Sequence, residues 1–142
     1  MQNSGDEKHN NTMDETTLNN LILKLAQWKK SGESHIIWHG GEPLLAGIDF
    51  FKKIVELQAL IKNHIFENSI QTNGTLLNYE YLDFFERHNF KLGFSLDGCK
   101  TSHDLNRPYK DGLSSFEDTL KWMQEARARK IGGKGAICVL NN

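Results

Sequence analysis

Apolar residues along this chain recur at two different spacings, which predicts that helices alternate with strands. Residues 1–12 carry no such pattern, and we interpret them as a loop or disordered lead-in to a single domain over residues 13–142. Helical spacing predicts four amphipathic helices, which begin at a Thr12–Glu15 capping box, near Asp49, near Asn78 and at a Ser115 cap. Short β-prone runs predict four strands, over His35–His39, Ile65–Thr72, Phe90–Leu96 and Gly135–Leu140.

The order of these elements predicts the fold class. A parallel strand can reach its neighbour only through a crossover, so strands alternating with helices favour an α/β fold with a parallel sheet. Right-handed crossovers put all the helices on one face of a curling sheet or on both faces of a flat one, and the pattern is compatible with both. The segment Asp97–Ser114 is predicted to be a long loop. The residues predicted to face inward are Leu18, Leu21, Ile22, Leu25 and Trp28 in the first helix and Phe116, Leu120 and Met123 in the last.

Composition narrows the classes of function. The 142 residues suit one domain, and they fall short of a complete (β/α)₈ barrel, which takes about 250 residues. With 17 basic and 18 acidic residues and a net charge of −1, the chain lacks the basic surface typical of nucleic-acid binding. No apolar run approaches the roughly 20 residues that span a bilayer, so we expect a soluble, cytoplasmic chain without a membrane partner. A small molecule or a peptide is the expected partner.

The most informative polar sequences come directly after the first three predicted strands. They are His39-Gly40-Gly41-Glu42-Pro43, Gln71-Thr72-Asn73-Gly74 and Ser95-Leu96-Asp97-Gly98. In parallel α/β folds, ligands bind at the carboxyl ends of the strands, so these segments are predicted to share one rim. The two glycines leave backbone groups accessible, and a carboxylate can accept hydrogen bonds from an ammonium. Together with hydroxyl and amide side chains, these groups could hold a ribose and a charged amino acid moiety.

These motifs, followed by His103-Asp104-Leu105-Asn106-Arg107 and Ser115-Phe116, are typical of one enzyme family. From about Met13 onwards the chain resembles radical S-adenosylmethionine (SAM) enzymes, in particular the anaerobic sulfatase-maturating and related SPASM-type peptide-modifying branch. The resemblance implies a portion of a partial (β/α)₆ barrel with about four parallel strands. It also implies a [4Fe–4S] cluster that cleaves SAM to a 5′-deoxyadenosyl radical. That radical takes hydrogen from a side chain of a protein or peptide substrate, as in formylglycine formation during sulfatase maturation.

The same resemblance implies roles for individual residues at the rim. Gly40, Gly41 and Glu42 would meet the methionyl amino group of SAM. Ser95 and Arg107 would contact the ribose and the carboxylate end, and Gln71 and Asn73 would line the same cavity. A guanidinium suits this role because it pairs bidentately with a carboxylate, although a solvated loop arginine is an equally valid interpretation of Arg107. No catalytic or metal-binding residue is assigned.

The cysteines depart from the family pattern. The chain has two, Cys99 and Cys138, and neither belongs to the CxxxCxxC motif that holds the cluster in this family. We interpret both as ordinary reduced thiols, with Cys138 in a buried strand. We therefore interpret the sequence as a piece of a larger enzyme and expect the piece to be inactive on its own. The substrate, the modification and the oligomeric state stay open.

Two other classes of function are compatible with the sequence. A metallohydrolase could use the His103-Asp104 pair, although no second histidine and aspartate pair follows it. His35 and His39 have the spacing of a zinc-binding HExxH motif, but Ile36 takes the place of the acid and the local pattern predicts a strand. The other class is a cluster-free module that binds SAM or a peptide without chemistry. The glycine-rich run Gly132–Gly135 precedes a strand, whereas phosphate loops follow one, so it is predicted to be a turn.

Overall fold

The computed structural model describes residues 12–28 and 32–139, in which helices and strands alternate. Residues 1–11 of the predicted lead-in and Leu140 of the predicted fourth strand lie outside the described residues. The strands are β1 (Glu33–Trp38), β2 (Ile65–Thr72), β3 (Lys91–Ser95) and β4 (Gly132–Ile137). The helices are α1 (Glu15–Trp28), α2 (Ile48–Ala59), α3 (Tyr79–Arg87), α4 (Lys100–Asn106) and α5 (Phe116–Ala128), with a 3₁₀ turn over Pro43–Ala46.

The four strands form one parallel sheet in the order β1-β2-β3-β4, which confirms the predicted α/β class. Burial alternates along β1, where Ser34, Ile36 and Trp38 are buried and the residues between them are exposed. Sequential parallel strands joined by right-handed crossovers carry their helices on the same side. The helices therefore cover one face of the sheet, as in a β/α barrel, and no described helix covers the other face, which we call the open face.

The core lies between the covered face of the sheet and the helices. Phe51, Phe85 and Phe90 are fully buried at its centre. The rings of Phe51 and Phe85 meet edge to face, with centroids 5.3 Å apart and planes at 89°. Such aromatic pairs contribute about 0.5–1.5 kcal/mol beyond the area they bury. None of the helices in the described ranges has the length and apolar character that crossing a bilayer requires.

The first helix differs from its prediction at both ends. The cap is Asp14, whose Oδ1 accepts a hydrogen bond from the Thr17 amide at 2.7 Å, so the predicted Thr12 cap is wrong. Leu18 and Ile22 are buried as predicted, but Trp28 is 78% exposed. Six residues of α-helix after Ile22 turn the side chain about 120° away from the buried stripe, which explains the exposure of Trp28.

The predicted loop between β3 and α5 contains a helix, so that prediction is wrong. Helix α4 has only one buried residue, His103, and its other positions are polar or exposed. The imidazole packs against the ring of Phe116 with centroids 5.6 Å apart. A seven-residue helix without an apolar stripe has no periodic signal in its sequence, and its tertiary contacts hold it in place.

Helix α5 and strand β4 also differ from their predictions. Thr119, Trp122 and Ala126 form the buried stripe of α5, whereas Phe116, Leu120 and Met123 are half-buried, with Met123 packed against the core as predicted. The run Gly132–Gly135 belongs to β4 and is not a turn. A Cβ at Gly132 would lie 2.9 Å from the backbone nitrogen of Arg127, so glycine permits the close approach of β4 to α5. Cys138 follows the strand and is exposed, so its predicted burial is wrong.

Candidate functional site

The loop after β1 presents bare backbone at the carboxyl rim of the sheet. Gly40 has a φ of 118° and Gly41 a φ of 53°, both in the region that favours glycine. Among the described residues, no heavy atom beyond their chain neighbours lies within 4 Å of the position that a Cβ would take at either glycine. The peptide groups of this loop are therefore open to a ligand.

The carboxylate of Glu42 ties this loop to the end of β2. Its Oε1 accepts a hydrogen bond from the Thr72 hydroxyl at 2.6 Å and one from the Leu44 amide at 3.2 Å. Its Oε2 accepts the Asn73 amide at 2.9 Å. Glu42 thus joins the first two polar strand ends that the sequence predicted to share a rim.

Two further hydrogen bonds brace the same rim from the helices. The Tyr81 hydroxyl of α3 donates to the Leu44 carbonyl at 3.1 Å, and burial raises the pKa of Tyr81 so that it remains a donor. The Thr119 hydroxyl of α5 donates to the Asn73 carbonyl at 2.7 Å. The strand ends are therefore held by side chains that the motifs themselves do not contain.

Gln71 and Ser95 lie together on the open face of the sheet. The amide nitrogen of Gln71 donates to the Ser95 hydroxyl at 3.0 Å. This arrangement depends on Gly93, because a Cβ there would lie 2.3 Å from Oε1 of Gln71. Thr72 points to the opposite, buried face, as alternation along a strand requires. Sequence reasoning missed Gly93, although a glycine inside a strand is itself a signal of close approach.

Arg107 is held by a buried carboxylate. Its Nε donates to Oδ2 of Asp97 at 2.7 Å, and Asp97 is only 2% exposed. The other carboxylate oxygen accepts the Val139 amide at 3.0 Å. The hydrogen bond from the Arg107 guanidinium holds the pKa of Asp97 below its usual value. Sequence reasoning did not predict this pair, which fixes the plane of the guanidinium.

His103 completes a ring of contacts behind Arg107. Its Nδ1 accepts the Asp97 amide at 3.3 Å, and its Nε2 lies 3.0 Å from the Ser115 hydroxyl. That hydroxyl donates to the Arg107 carbonyl at 2.5 Å, so these contacts assign the ring hydrogen to Nε2. Burial lowers the pKa of His103, which favours the neutral ring. Ser115 makes no capping hydrogen bond to α5, contrary to the prediction, because its hydroxyl serves this ring.

These contacts give no support to the two predicted metal-site alternatives. Both ring nitrogens of His103 are engaged, and Asp104 instead accepts the Ser114 hydroxyl at 2.6 Å and lies 3.3 Å from the Lys100 ammonium. His35 lies on the open face with Nδ1 2.9 Å from Glu67 and Nε2 3.2 Å from Glu33. Glu33, His35 and Glu67 form an exposed cluster whose ligand atoms lie within 4.8 Å of one another, but His39 is not part of it, so the two histidines do not form a paired zinc site among the described residues.

The predicted site residues fall into three groups along the rim. Gly40, Gly41 and Glu42 line a cleft of about 550 Å³. Glu42 also borders a second cleft of about 370 Å³, together with Asn73 and Arg107. Gln71 and Ser95 are on the open face of the sheet and line neither cleft. The structure thus joins Glu42 to Asn73 and Gln71 to Ser95, and Glu42 borders both clefts.

The donor set fits one of the two expected cofactors. Open glycine backbone, a hydroxyl, an amide and a guanidinium suit the ribose and amino acid parts of SAM. The set does not fit a [4Fe–4S] cluster, which is held by cysteine thiolates. The chain has two cysteines, and both are exposed.

A one-sided parallel sheet with polar groups at its carboxyl rim defines the class of β/α-barrel domains that bind ligands at that rim. A profile of the radical SAM superfamily matches residues 2–142, and the chain belongs to this family.

Individual relatives are anaerobic sulfatase-maturating enzymes. The chain is 39% identical over 120 residues to a serine-type enzyme of Klebsiella aerogenes, covering 82% of this chain and 30% of the relative. It is 38% identical over 106 residues to a cysteine-type enzyme of Clostridium perfringens, and this match covers 73% of this chain and 28% of the relative. The chain therefore spans about a third of the length of these relatives.

Solved structures give the same result at the level of the fold. The structure described as native anSMEcpe with bound AdoMet superposes with a TM-score of 0.80 at 34% identity, covering 89% of this chain and 34% of that chain. A second structure contains the same protein with AdoMet and the Cp18Cys peptide. It also superposes with a TM-score of 0.80, and the match covers 35% of that chain.

Proposed function

We propose that this chain forms the SAM-binding part of a radical SAM enzyme that modifies a side chain of a protein or peptide, as in sulfatase maturation. The observation that carries the proposal is the rim itself, where Glu42 joins the loop after β1 to the end of β2. The similarity to structures that contain AdoMet and a peptide supports it. Two exposed free cysteines suit a reducing compartment, and we propose a cytoplasmic location.

In this proposal each group of rim residues receives one part of the cofactor. The open backbone at Gly40 and Gly41 takes the methionyl amino end. Arg107 takes the carboxylate, because Asp97 binds the Nε–H and the terminal N–H groups are donors suited to a carboxylate. Ser95 and Gln71 supply a hydroxyl and an amide on the open face for the ribose.

SAM, when bound, supplies the adenosyl group from which this family generates its hydrogen-abstracting radical. The residues of this chain bind and orient it. Ser95 and Gln71 hold each other in place before the ligand arrives, and the ring through His103 does the same for Arg107. A prearranged site loses less conformational freedom on binding.

The test is calorimetric titration of the full chain with SAM under reducing conditions. We expect saturable binding that weakens about tenfold in Arg107→Ala or Ser95→Ala, since each loses a hydrogen bond to the ligand. Lys62→Ala is the matched control, because Lys62 is exposed and lies just before β2, at the amino ends of the strands and away from the carboxyl rim. Absence of binding by the wild-type chain, or equal affinity in all the variants, would overturn the proposal.

A second candidate is SAM binding without chemistry, and the content of only two cysteines favours it for the chain taken alone. Anaerobic reconstitution with iron and sulfide, followed by a search for 5′-deoxyadenosine, distinguishes the two. Release of that product would show that the chain performs the chemistry itself. Binding without product would support the second candidate.

A further inference from the structure

The side chain of Glu42 is almost fully used inside the chain. A carboxylate offers about four lone-pair positions for hydrogen bonds. Three donors of this chain already approach those of Glu42, at 2.6 Å from Thr72, 2.9 Å from Asn73 and 3.2 Å from Leu44. Little acceptor capacity remains for a ligand ammonium.

These hydrogen bonds connect distant parts of the sequence. Thr72 and Asn73 lie 30 and 31 positions after Glu42. Thr72 is 1% exposed, and its hydroxyl also accepts the Gly74 amide at 2.9 Å. The Glu42 carboxylate therefore binds to the end of β2 at a residue that burial and a second hydrogen bond already hold in place.

The glycine loop depends on this connection. Gly40 and Gly41 have no side chains to pack, and both have backbone conformations that other residues adopt at a cost. The 3₁₀ turn that follows is capped by Glu42 through the Leu44 amide. The same carboxylate thus sets the loop relative to the turn and relative to β2.

We propose that Glu42 is a positioning residue: its carboxylate fixes Gly40 and Gly41 against Asn73, so that the two strand ends face the ligand together, and it does not itself bind the cofactor's amino group. This inference rests on the proposed function. It assigns to Glu42 an effect on every ligand of the rim, including ligands without an ammonium.

The decisive experiment compares two ligands and two substitutions. SAM carries the amino acid group, and 5′-deoxy-5′-methylthioadenosine lacks it. Glu42→Gln replaces one acceptor oxygen by an NH₂ group, and Thr72→Val removes the donor at nearly constant shape. We expect each substitution to weaken both ligands by similar factors, about tenfold. The double variant should lose less than the sum of the two single losses, because both substitutions break the hydrogen bond between Thr72 and Glu42, whereas Thr72→Val also removes the acceptor of the Gly74 amide.

Direct binding of the ammonium predicts a different result. Glu42→Gln would then weaken SAM alone, and Thr72→Val would leave both ligands unchanged. Either result would overturn the inference. Glu56→Gln is the matched control, since Glu56 is an exposed glutamate on α2 that lies 3.7 Å from Lys53 and does not line the rim clefts. Should Glu42→Gln fail to fold, Thr72→Val alone decides, because it leaves the charge of Glu42 in place.

Unfolding measurements separate this inference from the proposed function. If the wild-type chain binds neither ligand, the proposed function fails. The connection is then judged from denaturant unfolding of the wild type, both single variants and the double variant. Non-additive losses of stability support the positioning role, and additive losses refute it.

Discussion

Gly93 has no Cβ, and this leaves the space that the side-chain amide of Gln71 occupies. The side chain of Gln71 crosses the backbone at this point to reach Ser95. The amide is the far end of a flexible side chain, so a methyl group at position 93 would move it and leave the fold intact. Site geometry at this position is therefore separable from stability.

We predict that Gly93→Ala lowers the free energy of unfolding by no more than about 1.5 kcal/mol. The substitution breaks the hydrogen bond from Gln71 to Ser95, and water can replace the lost partner of each side chain. SAM affinity should fall several-fold, since Gln71 and Ser95 no longer hold each other. Gly135→Ala is the control, because a Cβ there meets no atom of the described residues within 4 Å. Calorimetry and denaturant unfolding measure both effects, and wild-type affinity in Gly93→Ala would contradict the prediction.

Helix α4 shows how an element can depend on polar contacts. Its buried residue is an imidazole whose two nitrogens serve the backbone of Asp97 and the hydroxyl of Ser115. Lys100 and Asp104 from the helix, with Arg107 and Asp97, are the charged groups that act on it. Protonation would put a hydrogen on Nδ1, facing the Asp97 N–H. The ring of contacts therefore requires neutral His103.

Stability should consequently fall in two steps as the pH is lowered. Burial lowers the pKa of His103 from its ordinary 6.5, so the unfolded chain binds a proton first, and stability is lost as the pH falls below about 6.5. The pKa of Asp97 is lowered from 3.8, so its contribution is present above that pH and is lost as the pH falls through the lower, folded value.

The first step is tested with His103→Asn. Denaturant unfolding between about pH 7.5 and pH 5 should show a smaller loss of stability in this variant than in the wild type. Burial also lowers the pKa of His88, which adds a change of the same sign in both proteins. Identical pH slopes for the two proteins would exclude His103 as the cause.

The sequence predicted well those helices and strands whose own residues show a periodic apolar pattern or a capping residue. Strand β2 has the predicted bounds, and α3 begins where predicted, with Asn78 as its cap. Helix α4 and the start of β4 were missed because a buried histidine and closely packed glycines give no periodic apolar signal. Only tertiary contacts define those two elements.

The same distinction applies to the site. Topology brings the strand ends to one rim, so the motifs could be predicted to meet there. The hydrogen bonds from Thr72 to Glu42 and from Arg107 to Asp97 depend on rotamers and on distant backbone. Sequence spacing contains no information on either, so the positions of these side chains had to come from the structure.

On the scale of the whole molecule, the aromatic core and the open face lie on opposite sides of one sheet. Phe85 is fully buried and contacts the rings of Phe51, Tyr81, Phe84 and Phe90. Loss of such a ring removes packing on both α2 and α3. The stability of the molecule is therefore concentrated on the covered side.

We predict that Phe85→Ala lowers the free energy of unfolding by about 3–5 kcal/mol, a large share of the total for a domain of this size. Leu60→Ala should change it by less than about 0.5 kcal/mol, since Leu60 is 75% exposed. Thermal and denaturant unfolding measure both variants. Similar losses for the two would contradict the position of the core.

Strand β2 carries two independent sets of positions in one stretch of eight residues. Asn68, Ile70 and Thr72 face the helices, whereas Glu67, Ser69 and Gln71 face the open side. Random substitution along this strand should therefore give a tolerance that alternates with every residue. During evolution, the residues on the open side can therefore be substituted, and the ligand chemistry can change with them, while the buried residues on the covered side maintain the fold.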